Sequence, residues 1–335
     1  MMKLPSFELL QPVNRQELQA WLKLHRGRVK LCAGGTDLLV GMKRRLYPVS
    51  YLLSLQKLSE LAGIVYDEKA DRLEIGALTT LAELEESPLL ARLQPGIAAA
   101  VKQIAAPPLR NRATLGGNLC LDTRCYYFNQ SEAWRKLAGS CFKSRGDKCL
   151  AVPGGKTCRS VFSADLPILL IALEAIVVVA GPAGERSLPL ADLYTGDGAA
   201  PLRLEESEVL VRVVLEGLRG KFSCYKKFRL RRALDFPLVG VALAGERSPE
   251  KRFVNPHVVL GAVASGPQVV SEAAQVLAGR AFDDVEAVKE AAAALSAAAR
   301  PVANVASKPF YRKKMAGLLL EKIASELATA PEEVA

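Results

Sequence analysis

From Leu119 to Phe162 the chain keeps neither a helical nor a strand period, although the segments on either side of it do. A stretch this long with no hydrophobic pattern of its own cannot build a core. It reads as an insertion, carried on a domain formed by its flanks and organised by something other than its own packing. Tyr126, Tyr127, Phe128, Trp134 and Phe142 lie in it among charges and glycines.

Charge and cysteine concentrate in the same place. Between Val101 and Ser160 there are 11 basic residues and three acidic ones (Asp122, Glu132, Asp147), within a chain of net charge +10. Five of the seven cysteines fall in this window. An odd cysteine count argues for metal ligation rather than a disulfide framework. Cys125, Cys141, Cys149 and Cys158 are separated by 15, 7 and 8 residues. Zinc ribbons prefer cysteines two to four residues apart, and ferredoxin-type runs have two-residue gaps. Neither pattern occurs. Four thiolates on a loose loop can still hold a 4Fe–4S cluster, whose negative charge the surrounding basic residues would offset. On spacing alone a structural zinc or four unligated thiols are equally open. Cys120 reads as a small buried residue, and Cys32 and Cys224 as core positions of strands.

The flanks are globular. Half of the residues are hydrophobic and 24% are charged, the composition of a well-cored protein. The richest apolar run, Leu166 to Ala180, is interrupted by Glu174 and is too short to span a bilayer. The N-terminus lacks the apolar core of a signal peptide. These features predict a soluble, cytoplasmic chain with no membrane partner. Asn14 with Glu17 predicts a helix start, and Thr80 with Glu83 another. Arg28–Cys32, Tyr51–Leu55, Arg72–Leu78, Ile176–Ala180, Val209–Leu215, Phe222–Leu230, Phe236–Ala244 and Val258–Val263 read as strands. Pro88–Ile104 reads as helix broken at Pro95-Gly96, and Asp165–Ala175 as helix. The end is helical over Ser271–Leu277, Asp284–Ala299 and Lys308–Ala328. Strands followed by helices, after a mixed first part, predict an α+β architecture with a boundary near Gly217–Gly220.

Two glycine turns stand out. Ala33-Gly34-Gly35-Thr36-Asp37-Leu38 follows a strand, and successive N–H groups there can form a nest for an anion such as a pyrophosphate. A capped strand-to-helix turn explains the same residues. It is not the GxGxxG of a Rossmann site. Thr114-Leu115-Gly116-Gly117-Asn118 again pairs glycines with a hydroxyl and an amide, and two such loops could wrap one dinucleotide. Lys226, Lys227, Arg229, Arg231 and Arg232 surround Phe228. They fit a solvated strand edge, a nucleic-acid surface, or a lysine aimed at an anionic ring. The two histidines, His25 and His257, are too far apart in sequence to suggest a histidine metal site or a Ser–His triad.

Taken in order, these motifs resemble a known family. Lys30-Leu31-Cys32-Ala33-Gly34-Gly35-Thr36-Asp37-Leu38 and Arg112 to Asn118 resemble the two flavin loops of the FAD-binding medium subunits of the xanthine and carbon monoxide dehydrogenase family. Ser163-Ala164-Asp165-Leu166-Pro167, Tyr225-Lys226-Lys227-Phe228, Gly261-Ala262-Val263-Ala264 and Tyr311-Arg312 are similar to its later motifs. The resemblance implies two FAD-binding subdomains of the vanillyl-alcohol-oxidase (PCMH) type, at residues 1–57 and 58–218. A C-terminal α+β domain like that of the CO dehydrogenase flavoprotein would follow at 219–335. It implies FAD held by Lys30 to Leu38, Ile104, Thr114, Gly116, Gly117, Asn118 and Asp165, with Lys227 on the isoalloxazine side. It implies no acid–base residue on this chain.

The departure from the family is the insertion at about 119–162. With its four cysteines it resembles the branch represented by the β subunit of 4-hydroxybenzoyl-CoA reductase. That likeness implies a 4Fe–4S cluster on Cys125, Cys141, Cys149 and Cys158. Electrons would pass from a ferredoxin through the cluster and FAD to a 2Fe–2S small subunit and a molybdenum-cofactor large subunit. The assembly would be a dimer of heterotrimers that removes the phenolic hydroxyl of its substrate. The basic window would be where an acidic ferredoxin docks. The alternatives are an FAD subunit of another molybdenum hydroxylase, serving NAD or a different acceptor, and a nucleic-acid-binding module. The irregular interleaving of aromatic and basic residues speaks against nucleic acid as a partner.

Overall fold

The computed structural model describes residues 3–232 and 234–329; Met1 and Met2 of the expected first domain, and Ala233 and residues 330–335 of the expected third, lie outside the described residues. Three sheets organise the described residues. The first is small and parallel: β1 (Glu8–Leu10) and β2 (Val29–Cys32) both pair with a central β3 (Tyr51–Ser54). Helix α1 (Arg15–Leu24) connects β1 to β2. Asn14 caps it, accepting from the Glu17 amide at 2.8 Å, and it buries Leu18 and Leu22. Helix α2 (Leu38–Lys43) connects β2 to β3.

The second sheet is antiparallel, in the order β4-β5-β8-β6-β7. It comprises β4 (Ile64–Asp67), β5 (Arg72–Gly76), β6 (Ile176–Gly181), β7 (Gly184–Pro189) and β8 (Val209–Glu216). Short helices pack on it: α3 (Leu81–Glu86), α4 (Pro88–Leu93), α5 (Pro95–Val101), α6 (Pro107–Arg110) and α7 (Leu115–Leu119). Thr80 and Glu83 form a reciprocal capping box at the start of α3, which satisfies two amide donors at once. Gln94, fully buried, separates α4 from α5 and donates to the carbonyls of Leu218 and Lys221. The seven residues of α9 (Leu166–Ala172) are all buried in the largest core.

The third sheet is antiparallel, in the order β12-β11-β10-β9. It contains β9 (Lys221–Phe228), β10 (Val239–Arg247), β11 (Phe253–Gly261) and β12 (Gln268–Val269), backed by α10 (Ser271–Leu277), α11 (Val285–Ala298) and α12 (Pro309–Thr329). Its other face receives α9. Cβ atoms added at Gly240 and Gly261 would lie 2.9 and 2.7 Å from Ile168 side-chain atoms, so α9 approaches where these strands carry no side chain. The architecture is the expected α+β one. None of the described helices is long and apolar enough to cross a membrane.

The segment after α7 runs through α8 (Glu132–Ala138), which buries none of its own residues. The segment begins and ends at one place, where Arg124 and Val161 exchange backbone hydrogen bonds of 2.7 and 2.8 Å.

Candidate functional site

The first glycine turn leaves β2 and enters α2. The N–H groups of Gly34, Gly35, Thr36 and Asp37 make no hydrogen bond to any described residue, and Gly35 adopts φ 73°, which suits glycine. A run of free donors at this bend can form a nest for an anion. Gly34 also lies against the second loop: an added Cβ would sit 1.7 Å from the Arg112 carbonyl oxygen. Lys30 is exposed, with its ammonium over the Tyr47 ring. Leu31 and Cys32 belong to neighbouring core clusters.

The second glycine turn differs from expectation. Its amides are consumed internally. Leu115 and Gly116 donate to the carbonyls of Thr79 and Ala77, Gly117 to the Thr114 hydroxyl, and Asn118 to the Thr114 carbonyl. Thr114 thus caps α7, and this loop offers no anion nest of its own. What remains open is the exposed backbone of Gly117 and the half-buried Asn118 side chain. The Asn118 Oδ1 accepts from the Leu166 amide at 3.3 Å. That contact ties the loop to the residue following Asp165.

Asp165 stands at the start of α9 without capping it. Its Oδ1 instead accepts from the Tyr225 hydroxyl at 2.6 Å and from the Lys227 ammonium at 2.7 Å. The Lys227 and Asp165 side chains are 1% and 4% exposed. Burial pushes the Asp165 carboxyl up and the Lys227 ammonium down, each opposed by the other's charge. Strand alternation explains which lysine takes this place. Tyr225 and Lys227 face α9, whereas Cys224 and Phe228 pack into the C-terminal core. Lys226, on that second face, pairs with Glu326 of α12 at 2.5 Å. Tyr225 is a site residue that the sequence reading quoted in a motif without giving it a role. Its two-residue offset from Lys227 was the available signal. Ile104 is buried beside this group, and its carbonyl accepts from Arg110, which also pairs with Glu85 at 2.6 Å. Gln103 next to it donates to the Tyr225 carbonyl and accepts from Arg229. Contacts thus join the expected flavin residues in pairs: Gly34 with Arg112, Asn118 with Leu166, and Asp165 with Lys227.

The four cysteines converge. Cys125, Cys141, Cys149 and Cys158 line one small, partly open cavity together with Tyr127, Phe128, Phe142 and Leu150. Among the described residues no three His, Cys, Asp or Glu side chains are gathered closely enough to hold a single metal ion. The Cys125 sulfur faces the backbone N–H groups of Tyr127 and Phe128, and the Cys158 sulfur faces Ser160. Burial pushes both thiols up. Cys120 stays apart beside Tyr194, its thiol pushed up to about 12 by burial. Lys143 is not a surface charge: its side chain is 5% exposed and pairs with Asp122 at 2.6 Å. Arg145, Lys148, Lys156 and Arg159 remain exposed.

Comparison with known proteins identifies the family. Residues 5–215 match the model of the FAD binding domain in molybdopterin dehydrogenase, and residues 223–327 that of the CO dehydrogenase flavoprotein C-terminal domain. The chain belongs to the FAD-binding medium subunits of the molybdenum hydroxylases. It is 29% identical to the carbon monoxide dehydrogenase medium chain of Hydrogenophaga pseudoflava over 95% of this chain and 96% of that one. It is 33% identical to the aldehyde oxidoreductase FAD-binding subunit PaoB of Escherichia coli (strain K12), over 71% and 76%. Among solved structures it is similar to carbon monoxide dehydrogenase from H. pseudoflava, with a TM-score of 0.77 at 28% identity over 96% of each chain. The reconstituted CO dehydrogenase from Oligotropha carboxidovorans gives 0.79 at 26%, over 98% of this chain and 100% of that one. Members of this family are oxidoreductase subunits, and the FAD-binding domain assigns FAD to this chain.

Proposed function

We propose that the chain is the electron-transfer flavoprotein subunit of a molybdenum-containing reductase of the 4-hydroxybenzoyl-CoA type. In that role it links a ferredoxin to a 2Fe–2S small subunit and a molybdenum-cofactor large subunit, within a dimer of heterotrimers. The observation that carries this reading is the convergence of Cys125, Cys141, Cys149 and Cys158 on one cavity. Bound FAD would supply one- and two-electron redox chemistry, and a 4Fe–4S cluster single-electron transfer. The chain's residues do the rest. The amides of Gly34 to Asp37 would hold the pyrophosphate. Asp165 and Tyr225 would fix the buried Lys227 beside the flavin. The N–H groups at Tyr127, Phe128 and Ser160 would hydrogen-bond the ligating sulfurs. Arg145, Lys148, Lys156 and Arg159 would attract an acidic donor protein; Lys143 has no part in this, since it is buried against Asp122.

A second reading is favoured by the printed functions of the relatives, which include carbon monoxide, xanthine and aldehyde enzymes. In it the chain is the FAD subunit of such a hydroxylase, passes electrons to NAD or another acceptor, and its cysteine segment has another role. Anaerobic purification with flavin, iron and sulfide quantification separates the two. One FAD with four iron and four sulfide per chain supports the reductase type. FAD without iron supports the second reading. With the partner subunits present, reduced ferredoxin should then drive dehydroxylation of 4-hydroxybenzoyl-CoA in the first case only.

A further inference from the structure

The flavin turn and the cysteine segment are mechanically joined. Arg124, next to Cys125, reaches Asp37 at the end of the Gly34 turn with its guanidinium, which also lies 3.7 Å from the centre of the Phe236 ring. The Arg124 Nε is buried without an acceptor among the described residues. Asp37 caps nothing in α2, so Arg124 is its partner. The far end of α2 is held from the same segment. Arg135 donates to the carbonyls of Arg44 and Arg45 at 3.2 and 2.6 Å, and Arg45 sits at φ 56°. Tyr47 donates to Asp122 at 2.7 Å. The helix that follows the anion nest is thus gripped at both ends by the segment that carries the cysteines.

We infer that Arg124 is a positioning residue that couples the two cofactor sites: filling the cysteine cavity strengthens FAD binding at the Gly34–Asp37 turn, and FAD stabilises the filled cavity to the same degree. The inference rests on the cluster reading above. The physical ground is that ordering the cysteines fixes Arg124 at its neck position, opposite Val161. That presents a preformed partner to Asp37 and removes part of the ordering cost of FAD binding. Linkage requires the effect to be reciprocal.

The test is the FAD dissociation constant of the full chain, read by quenching of flavin fluorescence, for the iron-free protein and for protein reconstituted with iron and sulfide. Wild type should bind FAD at least about fivefold more tightly when iron-loaded, the lower end of typical couplings. In Arg124→Gln the ratio should fall to about one while iron content per chain is unchanged. Arg124→Lys, which keeps charge but loses the fork, should fall between. Equal constants in the two wild-type forms, with iron bound, would overturn the coupling and leave the cluster reading standing. A chain that takes up no iron overturns both. Full coupling in Arg124→Gln would remove Arg124 from the connection.

Discussion

A carboxylate and an ammonium group 2.7 Å apart and almost out of water, as in Asp165 and Lys227, hold position more than they add stability. Removing one member leaves a buried charge without its counter-ion. Asp165→Ala should cost about 3–5 kcal/mol, measured by urea unfolding, whereas Asp165→Leu with Lys227→Met should cost much less. A double variant as unstable as the single one would mean that packing, not charge, sets the loss. Gly34 makes a different demand. Its Cβ would meet the backbone carbonyl of Arg112 rather than a movable side chain, so Gly34→Ala must push the two loops apart. It should lose about 1–3 kcal/mol and release FAD during gel filtration.

At the scale of elements, the β6–β7 hairpin carries a charge cluster on its open side. Arg186 pairs with Glu208 at 2.6 Å, and Glu185 with Arg15 and Arg212. Hydrogen bonding by Arg186 holds the Glu208 carboxyl below its usual range, and Arg15 with Arg212 does the same for Glu185. A depressed folded-state value contributes stability that is complete above the unfolded value of about 4.3 and is lost as pH falls through the lower folded one. Glu208→Gln should therefore cost about 0.2–1 kcal/mol at pH 6, after screening at the part-exposed arginine. The difference should close below pH 4, as urea midpoints would report. In the cysteine segment, Ser at Cys125, Cys141, Cys149 or Cys158 should each lower bound iron, and Cys120→Ser should leave it unchanged. The helices that open at Asn14 and Thr80 were legible because capping is local. Strand β11 was read too short because Pro256 argues against a strand interior. It is tolerated where the β10–β11 register shifts between Ala244 and Glu246, opposite the close approach of Gly245, since bulges admit proline. Strands β1 and β4 are only three and four residues long, too short for a periodic pattern, and β7 is almost wholly exposed and polar.

For the whole molecule, Arg312 on α12 is fully buried and donates only to carbonyls, those of Leu238, Ala262 and Val302. Burial lowers its pKa to about 10. Val302 leads to Asn304, whose carbonyl accepts from the Tyr126 amide and whose side chain donates to the Arg159 carbonyl. Arg312→Met strands three acceptors at about 1–3 kcal/mol each, so both the melting temperature and the iron content should fall. The open turn at Gly34 and Gly35 was readable from a glycine pair after a strand. The cysteine cavity was only half readable, because spacing left a cluster, zinc and unligated thiols open and did not show the contacts of Asn304 with Tyr126 and Arg159, of the Ser265 hydroxyl with the Cys158 carbonyl, and of Arg124 with Val161. Those contacts depend on chain separations no local pattern records. The pairing of Arg124 with Val161 means that the excursion between them leaves and re-enters the domain at one point. A proteolytic cut at the exposed Gly154 to Lys156 turn would therefore yield two fragments that migrate together until denatured, and the nicked protein would keep its yellow colour.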